Sequence, residues 1–325
     1  MNKKIQILRA AAIIAVILIH TCPGGGIRIL IRPLINFPVA LFIFLSGYLT
    51  KVQGVSDLSR FYTKRILRVL LPYIVWTVIY TYASGHPSEL FFNLITTKAN
   101  YVLYYIFVYV QIVLLTPVVI KLAKSRYQWI GWFIQPVAFI VFRYLPLAYG
   151  FIIDTTWISI NCLMWFSYYY LGIVLGNGLT DVVVHISNKI YILLYGISLL
   201  IQYIEGFGWY FVGNYDMATT QIKISTMLSS ICFCCMCYKF ITSNIQSNTR
   251  GKNLKAVDFL NIIGDCSFGI YLLHSLIICI FKFSVIYNSI IFPVNFIIIF
   301  LCSLLIVFYI GKIPNKKIVH FLGMR

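Results

Sequence analysis

Runs of roughly 20 mostly apolar residues, the length that crosses a bilayer as a helix, recur along the whole of this 325-residue chain. Hydrophobic residues make up 61% of the sequence and charged residues 10%, whereas a soluble domain has about 45–50% and about 25%. The sequence therefore predicts an all-α fold, a polytopic membrane helical bundle of about ten transmembrane helices. The predicted spans are 5–22, 34–50, 66–84, 103–121, 127–143, 158–176, 189–205, 219–239, 260–281 and 289–311.

The basic residues predict an orientation. Ten spans place both termini on one side of the membrane; if that side is the cytoplasm, 20 of the 26 lysine and arginine residues lie inside. The positive-inside rule describes this bias, so we expect a multi-pass protein of the cell (inner, or cytoplasmic) membrane with both termini cytoplasmic. The net charge of +18 is then largely explained without a nucleic-acid partner. The six outer residues are Arg28, Arg32, Lys98, Arg143, Lys223 and Lys282.

The loops between the predicted spans are short, and none is long enough for a soluble domain of 50 or more residues. We therefore predict a single transmembrane domain over residues 1–325. Any chemistry then takes place within the membrane or at its two surfaces.

Four of the nine cysteines cluster in the apolar run ICFCCMC. A metal site needs ligands that converge on one point, whereas these four side chains point in several directions around one helix. We expect small buried apolar residues, and we predict neither a metal site nor a disulfide framework. The four are Cys232, Cys234, Cys235 and Cys237.

The first span, which contains LRAAAIIAVILIH, carries Arg9 and His20 on one stripe. Their spacing of eleven residues brings them within about 20° of the same helix face and about 16 Å apart along the axis. An ionisable residue inside a span usually faces the bundle interior or a watered cavity, and imidazole suits proton transfer near neutral pH. Two other interpretations stay open, an interfacial position for His20 and a snorkelling lipid anchor for Arg9.

The third span begins with FYTKRILRVLLPYIVW, in which Arg65 and Arg68 share one helix face. Two guanidinium groups at a cytoplasmic helix end are suited to bidentate phosphate binding. The alternative is that these arginines are ordinary basic residues beside the cytoplasmic end of a span. This suits Arg65 better than Arg68, because Arg68 is followed by apolar residues and Pro72.

A polar stripe marks the ninth span, where Ser267, Tyr271 and His274 are spaced by four and three residues. The stripe either faces a cavity or forms hydrogen bonds between helices. In the second span, Ser46 and the following glycine permit close approach of a helix or a ligand. Both features are candidate parts of a site.

Taken together, these segments resemble the acyltransferase-3 family of integral membrane acyltransferases. Its first span carries arginine, ten residues and histidine, as Arg9 and His20 do. Its second reads like P-x-F-F-F-x-S-G-F, to which PVALFIFLSGY (Pro38–Tyr48) is similar. Its third begins with Arg-x-x-Arg and proline, and a later span reads like S-Y-x-I-Y-L-x-H. Here the matching residues are Arg65, Arg68, Pro72 and the segment SFGIYLLH, Ser267–His274.

The resemblance implies a membrane O-acyltransferase of the stand-alone transmembrane form. Its cytoplasmic donor would be acyl-CoA, with acetyl-CoA as co-substrate and no permanently bound cofactor, and its acceptor a hydroxyl of a cell-surface or lipid-linked glycan. Arg65 and Arg68, with help from Arg9, would bind the donor phosphates. His20 would act as general base or become transiently acylated.

The carboxylate partner of His20 stays open. Only eight acids exist in the chain, and the outer-side candidates are Asp154, Glu205 and Asp216, with Asp265 nearer the inner side.

Two other functions stay open beside the acyltransferase. One is a transporter or flippase of a lipid-linked glycan, which would also need many spans and polar stripes. The other is a glycan polymerase or ligase, which usually carries a large outer loop that we do not find. Neither needs a histidine that reacts with a thioester.

Overall fold

The computed structural model describes residues 2–51, 57–151, 153–180, 182–243, 252–282 and 292–324. Every regular element in these ranges is helical, which confirms the predicted all-α fold. The helices are α1 Lys3–Thr21, α2 Gly26–Ile35, α3 Pro38–Tyr48, α4 Leu58–Ala83, α5 Leu90–Thr96, α6 Tyr104–Leu114, α7 Thr116–Lys124, α8 Ile130–Phe139, α9 Leu145–Ala148, α10 Thr155–Ile160, α11 Phe166–Gly176, α12 Val182–His185, α13 Asn188–Phe211, α14 Tyr215–Thr219, α15 Ile224–Thr242, α16 Lys252–Lys282, α17 Val294–Ile310 and α18 Lys316–Phe321.

Seven helical segments in the described ranges are long and apolar enough to cross a membrane, and a bent pair gives an eighth. Two shorter apolar helices complete the set. Each predicted span overlaps one of these segments, although only seven or eight have full length. The seven are Lys3–Thr21, Gly26–Tyr48, Leu58–Ala83, Ile130–Ala148, Asn188–Phe211, Tyr215–Thr242 and Lys255–Lys282; the bent pair is Pro87–Leu114 with Thr116–Lys124, and the shorter ones are Cys162–Gly176 and Val294–Ile310.

Some sequence predictions fall outside the described residues. The predicted start of the last span, 289–291, is one of them, and two of the predicted inner charges, Arg250 and Arg325, are others.

The bend of 55° in the fourth predicted span has a local cause. Helix α6 ends at Leu114, and α7 begins at Thr116 with a proline in its first turn, Pro117. Proline has no N–H to continue the hydrogen bonds of the preceding helix. The chain therefore changes direction here.

The described chain divides into two compact units, and the division falls inside helix α4. Unit 1 comprises Met1–Ile31, Arg68–Leu103 and Phe240–Arg325; unit 2 comprises Arg32–Leu67 and Tyr104–Lys239.

In unit 1, helices α1 and α16 pack against each other in the same direction. Lys3 lies 3.8 Å from Asp258 near the start of both helices, and Gln6 donates a hydrogen bond to Asp265. Gly264 permits this approach, because a Cβ there would collide with the backbone of Gln6. Two spans that cross in the same direction have an odd number of crossings between them, which agrees with the seven spans predicted between the first and the ninth.

In unit 2, helices α3 and α11 approach with almost no side chain between their backbones. A Cβ on Gly47 would meet the backbone of α11, and one on Gly172 or Gly176 would meet the backbone of α3. The ends of the two helices lie together, since Asn177 donates to the carbonyl of Thr50 at 2.9 Å. The close approach that Ser46 and Gly47 predicted is thus contact between helices.

Candidate active site

His20 lies in unit 1 beside two aromatic rings. The centroid of the His274 ring is 5.3 Å from that of His20, and the Tyr101 ring is 5.0 Å away on the 3-10 turn that precedes α6. His274 is fully buried, whereas Tyr101 is 56% exposed. One neighbour of the His20 imidazole is therefore enclosed in the protein interior, and the other reaches the surface.

The contacts of His274 define its tautomer. Its Nδ1 lies 2.7 Å from the carbonyl oxygen of Tyr271 and 3.1 Å from that of Ile270. Because carbonyl oxygens only accept hydrogen bonds, Nδ1 carries the proton in the neutral ring, and Nε2 is left with a lone pair. Among the described residues, this buried Nε2 has no hydrogen-bond partner.

The helix turn that carries His274 is held by Tyr80 of α4. The Tyr80 hydroxyl donates to the carbonyl of Leu272 at 2.7 Å and accepts from the N–H of Leu276 at 3.1 Å. In a regular helix these two backbone groups bond to each other. A side-chain hydroxyl thus bridges α16 at the turn where the histidine lies.

The segment before α6 forms hydrogen bonds with α16 beside this turn. Tyr271 donates from its hydroxyl to the carbonyl of Val102, and Ser275 donates to Asn100 at 3.1 Å. Asn100 also accepts from the N–H of Val102 at 3.1 Å. These bonds hold the 3-10 turn that carries Tyr101 against α16.

Ser267 and Arg9 lie further along the same pair of helices. Ser267 is fully buried, and its hydroxyl has no hydrogen-bond partner among the described residues. Arg9 is half-buried on α1, eleven residues before His20. The structure thus brings His20, Tyr271 and His274 together and places Ser267 and Arg9 on the same helices.

Arg65, in unit 2, has a structural role at the end of α3. Its guanidinium donates to the carbonyls of Ser46 at 3.3 Å and Leu49 at 3.2 Å and lies over the ring of Phe61. These are the carbonyls that a helix C-terminus leaves unpaired, and a cation there is favourable. Two of the five N–H donors are used in this way. The Ser46 hydroxyl itself is buried without a partner in the described structure.

Arg68 differs from Arg65 although both lie on α4. It is exposed, and no hydrogen bond or ion pair joins its guanidinium to another described residue. It therefore keeps all of its donors for a ligand.

The acids proposed as partners of His20 all have other contacts. Asp154 accepts from the N–H of Thr156 at 2.8 Å and caps α10, and Glu205 accepts from the hydroxyl of Tyr144 at 3.0 Å. Asp216 pairs with a guanidinium, and Asp265 accepts from a glutamine amide on α1. Two rings that lie close to His20 in unit 1 are those of Tyr101 and His274.

Three cations that the sequence placed only among the outer charges surround helix α14 in unit 2. Buried Lys223 donates to the carbonyl of Ala218 at 3.0 Å, and Arg32 donates to that of Thr219 at 3.0 Å. Arg143, also buried, pairs with Asp216. Cations at helix carbonyls satisfy groups that the helix end leaves unpaired, so this cluster stabilises α14.

The cysteine cluster is buried in α15 except for Cys232, which is half-buried, and all its thiols are free. In the described part of the chain, no group of three or more histidine, cysteine, aspartate or glutamate side chains could hold a metal ion.

These features define a multi-pass, all-α membrane protein with two imidazoles in contact inside one helical unit. A family model described as an acyltransferase domain, that of the acyltransferase-3 family, matches residues 2–312. The chain therefore belongs to the acyltransferase-3 family and is a membrane acyltransferase. No curated protein and no solved structure matches it.

Proposed function

We propose that this protein is an O-acyltransferase, more specifically an acetyl-CoA-dependent O-acetyltransferase. It moves the acyl group from cytoplasmic acyl-CoA to a hydroxyl of a cell-surface or lipid-linked glycan. The family supports acyl transfer. The observation that carries the finer proposal is the imidazole of His20, which lies next to both a buried imidazole and an exposed tyrosine.

His20 has one of two roles in this reaction. As general base, it takes the proton of the acceptor hydroxyl while the hydroxyl oxygen attacks the thioester carbonyl. The C–O bond forms, the C–S bond breaks, and the proton returns to the CoA thiolate. As acyl carrier, the lone-pair nitrogen of His20 attacks the thioester carbonyl, the C–N bond forms, the C–S bond breaks, and the CoA thiolate leaves and takes the proton of the other ring nitrogen. The acceptor oxygen then attacks the acyl-imidazole, the C–O bond forms, the C–N bond breaks, and the hydroxyl proton goes to the imidazole.

The donor phosphates bind at the cytoplasmic end of α4 in this proposal. Within the described residues, Arg68 has its whole guanidinium available, and Arg65 keeps three N–H donors beyond those used on the helix end. Arg9, on α1, lies about 16 Å before His20 along the helix. A pantetheine arm of comparable length would connect phosphates near Arg9 to a thioester at His20.

The test uses purified protein in liposomes with acetyl-CoA and a panel of glycan acceptors. Two products are measured, the free thiol of CoA and the acetylated sugar by mass spectrometry. Acceptor-dependent thiol release with an ester on the sugar supports the proposal. Thiol release without any acylated hydroxyl, or transfer only to amines, would contradict it.

A rapid-quench experiment distinguishes the two roles of His20. The protein is mixed with radiolabelled acetyl-CoA in the absence of acceptor and digested. Label on the peptide that contains His20 indicates an acyl carrier, whereas label that appears only in sugar ester when acceptor is present indicates a general base.

A further inference from the structure

His274 combines three properties that a packing residue does not need together. It is fully buried, its Nδ1 proton is held by two backbone carbonyls, and its Nε2 lone pair is unused within the described structure. A buried acceptor without a donor costs free energy. A site that keeps such an acceptor beside a reactive histidine has a use for it.

We propose that His274 is a positioning residue for His20, and that its Nε2 accepts a hydrogen bond from the His20 imidazolium during acyl transfer. This inference rests on the proposed role of His20 as general base. It assigns to a neutral histidine the part that a carboxylate plays in many acyl-transfer enzymes.

The geometry of the two rings permits this bond. An N–H···N bond has its nitrogens about 3 Å apart, and each nitrogen of an imidazole lies about 1.1 Å from the ring centre. An in-line pair therefore has centroids about 5.2 Å apart, against the 5.3 Å between His20 and His274. Because Nε2 of His274 has no hydrogen-bond partner among the described residues, the bond forms only when the half-buried His20 ring, now inclined by 32° to that of His274, rotates toward it.

The bond strengthens as His20 becomes charged. The nitrogen that faces His274 carries its N–H in both states, but hydrogen bonds from an ionised donor are roughly twice as strong. When His20 takes the proton of the acceptor hydroxyl, its other nitrogen remains a donor and can bind Nε2 of His274. His274 neither gains nor loses a proton in this step. An interaction that strengthens only as charge develops lowers the barrier without tightening substrate binding.

The fold around His274 keeps Nε2 as the acceptor. The other tautomer would place a lone pair of Nδ1 against the carbonyls of Ile270 and Tyr271, which are only acceptors. Tyr80 holds the turn on the opposite side of the same helix segment. The backbone carbonyls of α16 thus fix the tautomer in which Nε2 is the acceptor.

Two substitutions of His274 distinguish a role in positioning His20 from a role in packing alone. In His274→Asn, the amide N–H can still donate to the carbonyls that hold Nδ1, but the distal acceptor is lost. In His274→Gln, the longer side chain can place its carbonyl oxygen where Nε2 lies, but the contact to the carbonyls is lost. A positioning role predicts more activity in the glutamine variant, whereas a purely structural role predicts more in the asparagine variant.

The measurements are kcat, KM for donor and acceptor, and the thermal unfolding midpoint of each purified variant. Ser303→Ala is the control, since Ser303 is a fully buried polar residue of unit 1 whose hydroxyl bonds only within its own helix. We expect His274→Asn to lower kcat by about 10- to 100-fold, as is typical when a group that orients a reacting residue is removed. We expect KM to change by less than about threefold.

Three results would overturn the inference. They are equal kcat in the asparagine variant and the wild type, a higher kcat in the asparagine than in the glutamine variant, and loss of folded protein in both, which would mean that His274 acts through the fold alone. A parallel His20→Ala variant separates the two proposals. If it keeps its activity, the proposed role of His20 fails; if only the His274 variants keep theirs, the inference on His274 fails alone.

Discussion

The centroid of the His274 ring lies 5.3 Å from that of the His20 ring, although His274 belongs to the ninth predicted span and His20 to the first. The contact exists because α1 and α16 pack in the same direction over their whole common length. Near the start of α1, this packing depends on the missing side chain of Gly264 and on the hydrogen bond from Gln6 to Asp265. The proposed chemistry therefore depends on how these two helices fit together.

Gly264→Ala should destabilise unit 1. Its Cβ would collide with the backbone of Gln6, and overpacking of this kind costs typically about 1–3 kcal/mol. Gly196→Ala is the matched control, because Gly196 lies in a helix with open space around it and alanine favours a helix by about 0.5–1 kcal/mol. Thermal unfolding in detergent measures both, and equal midpoints would contradict the predicted close packing.

Tyr80→Phe should affect both stability and turnover. It removes the hydroxyl that bridges Leu272 and Leu276, and a lost buried partner costs about 1–3 kcal/mol. We expect kcat to fall because the turn that positions His274 loses its support. Tyr149→Phe, on an exposed tyrosine, serves as control; identical unfolding and kcat in the two variants would show that the bridge has no role.

Arg68→Ala should weaken donor binding with little loss of stability, because Arg68 is exposed. The affinity for acetyl-CoA should fall more than that for acetyl-pantetheine, which lacks the nucleotide phosphates. Arg68→Lys should restore little, since an ammonium group cannot form the bidentate contact. If Arg68→Ala weakens both ligands equally, Arg68 does not bind the phosphates. Arg126→Ala, on an exposed arginine of the same predicted side, is the control.

Arg65→Ala should instead lower the unfolding midpoint together with donor affinity. Its guanidinium binds the carbonyls of Ser46 and Leu49 at the end of α3, and one hydrogen bond from a charged group contributes about 1.5–3 kcal/mol. Donor affinity and unfolding are measured on the same preparation. An unchanged midpoint would show that this contact does not stabilise unit 2.

The sequence predicted the helical class from apolar runs long enough to cross a membrane. It also predicted the residues that share one helix face, because helical spacing within a span fixes them. It did not predict which spans are neighbours, since periodicity within a helix carries no information about its partner. Tyr80 and Tyr101 were missed for another reason. Tyrosine occurs 24 times in this chain, so a single tyrosine in an apolar run has no distinguishing signal.

The arginines show a similar limit. Arg65 and Arg68 share a spacing that predicts one function, yet in the structure Arg65 caps a helix while Arg68 makes no contact with another described polar group. The cations around α14 were predicted only as outer charges, because their partners are backbone carbonyls, which the sequence of side chains does not reveal.

The predicted orientation, combined with the proposed cytoplasmic donor and an acceptor on the outer side, implies transfer across the membrane. Inside-out vesicles would expose the cytoplasmic side to added acetyl-CoA, with the glycan acceptor trapped in the lumen. We expect acetylated sugar inside the vesicles. Product that forms only when donor and acceptor share one face would instead indicate an enzyme that works wholly at that face.

The most direct measurement is thioester turnover by His20→Ala beside His320→Ala, which removes an exposed histidine from the short helix α18. Both variants should insert, purify and unfold like the wild type, because His20 is only half-buried. We expect His320→Ala to keep full activity and His20→Ala to lose at least about 100-fold, the contribution typical of a general base. Retention of more than about a tenth of wild-type turnover by His20→Ala would contradict the central role of His20.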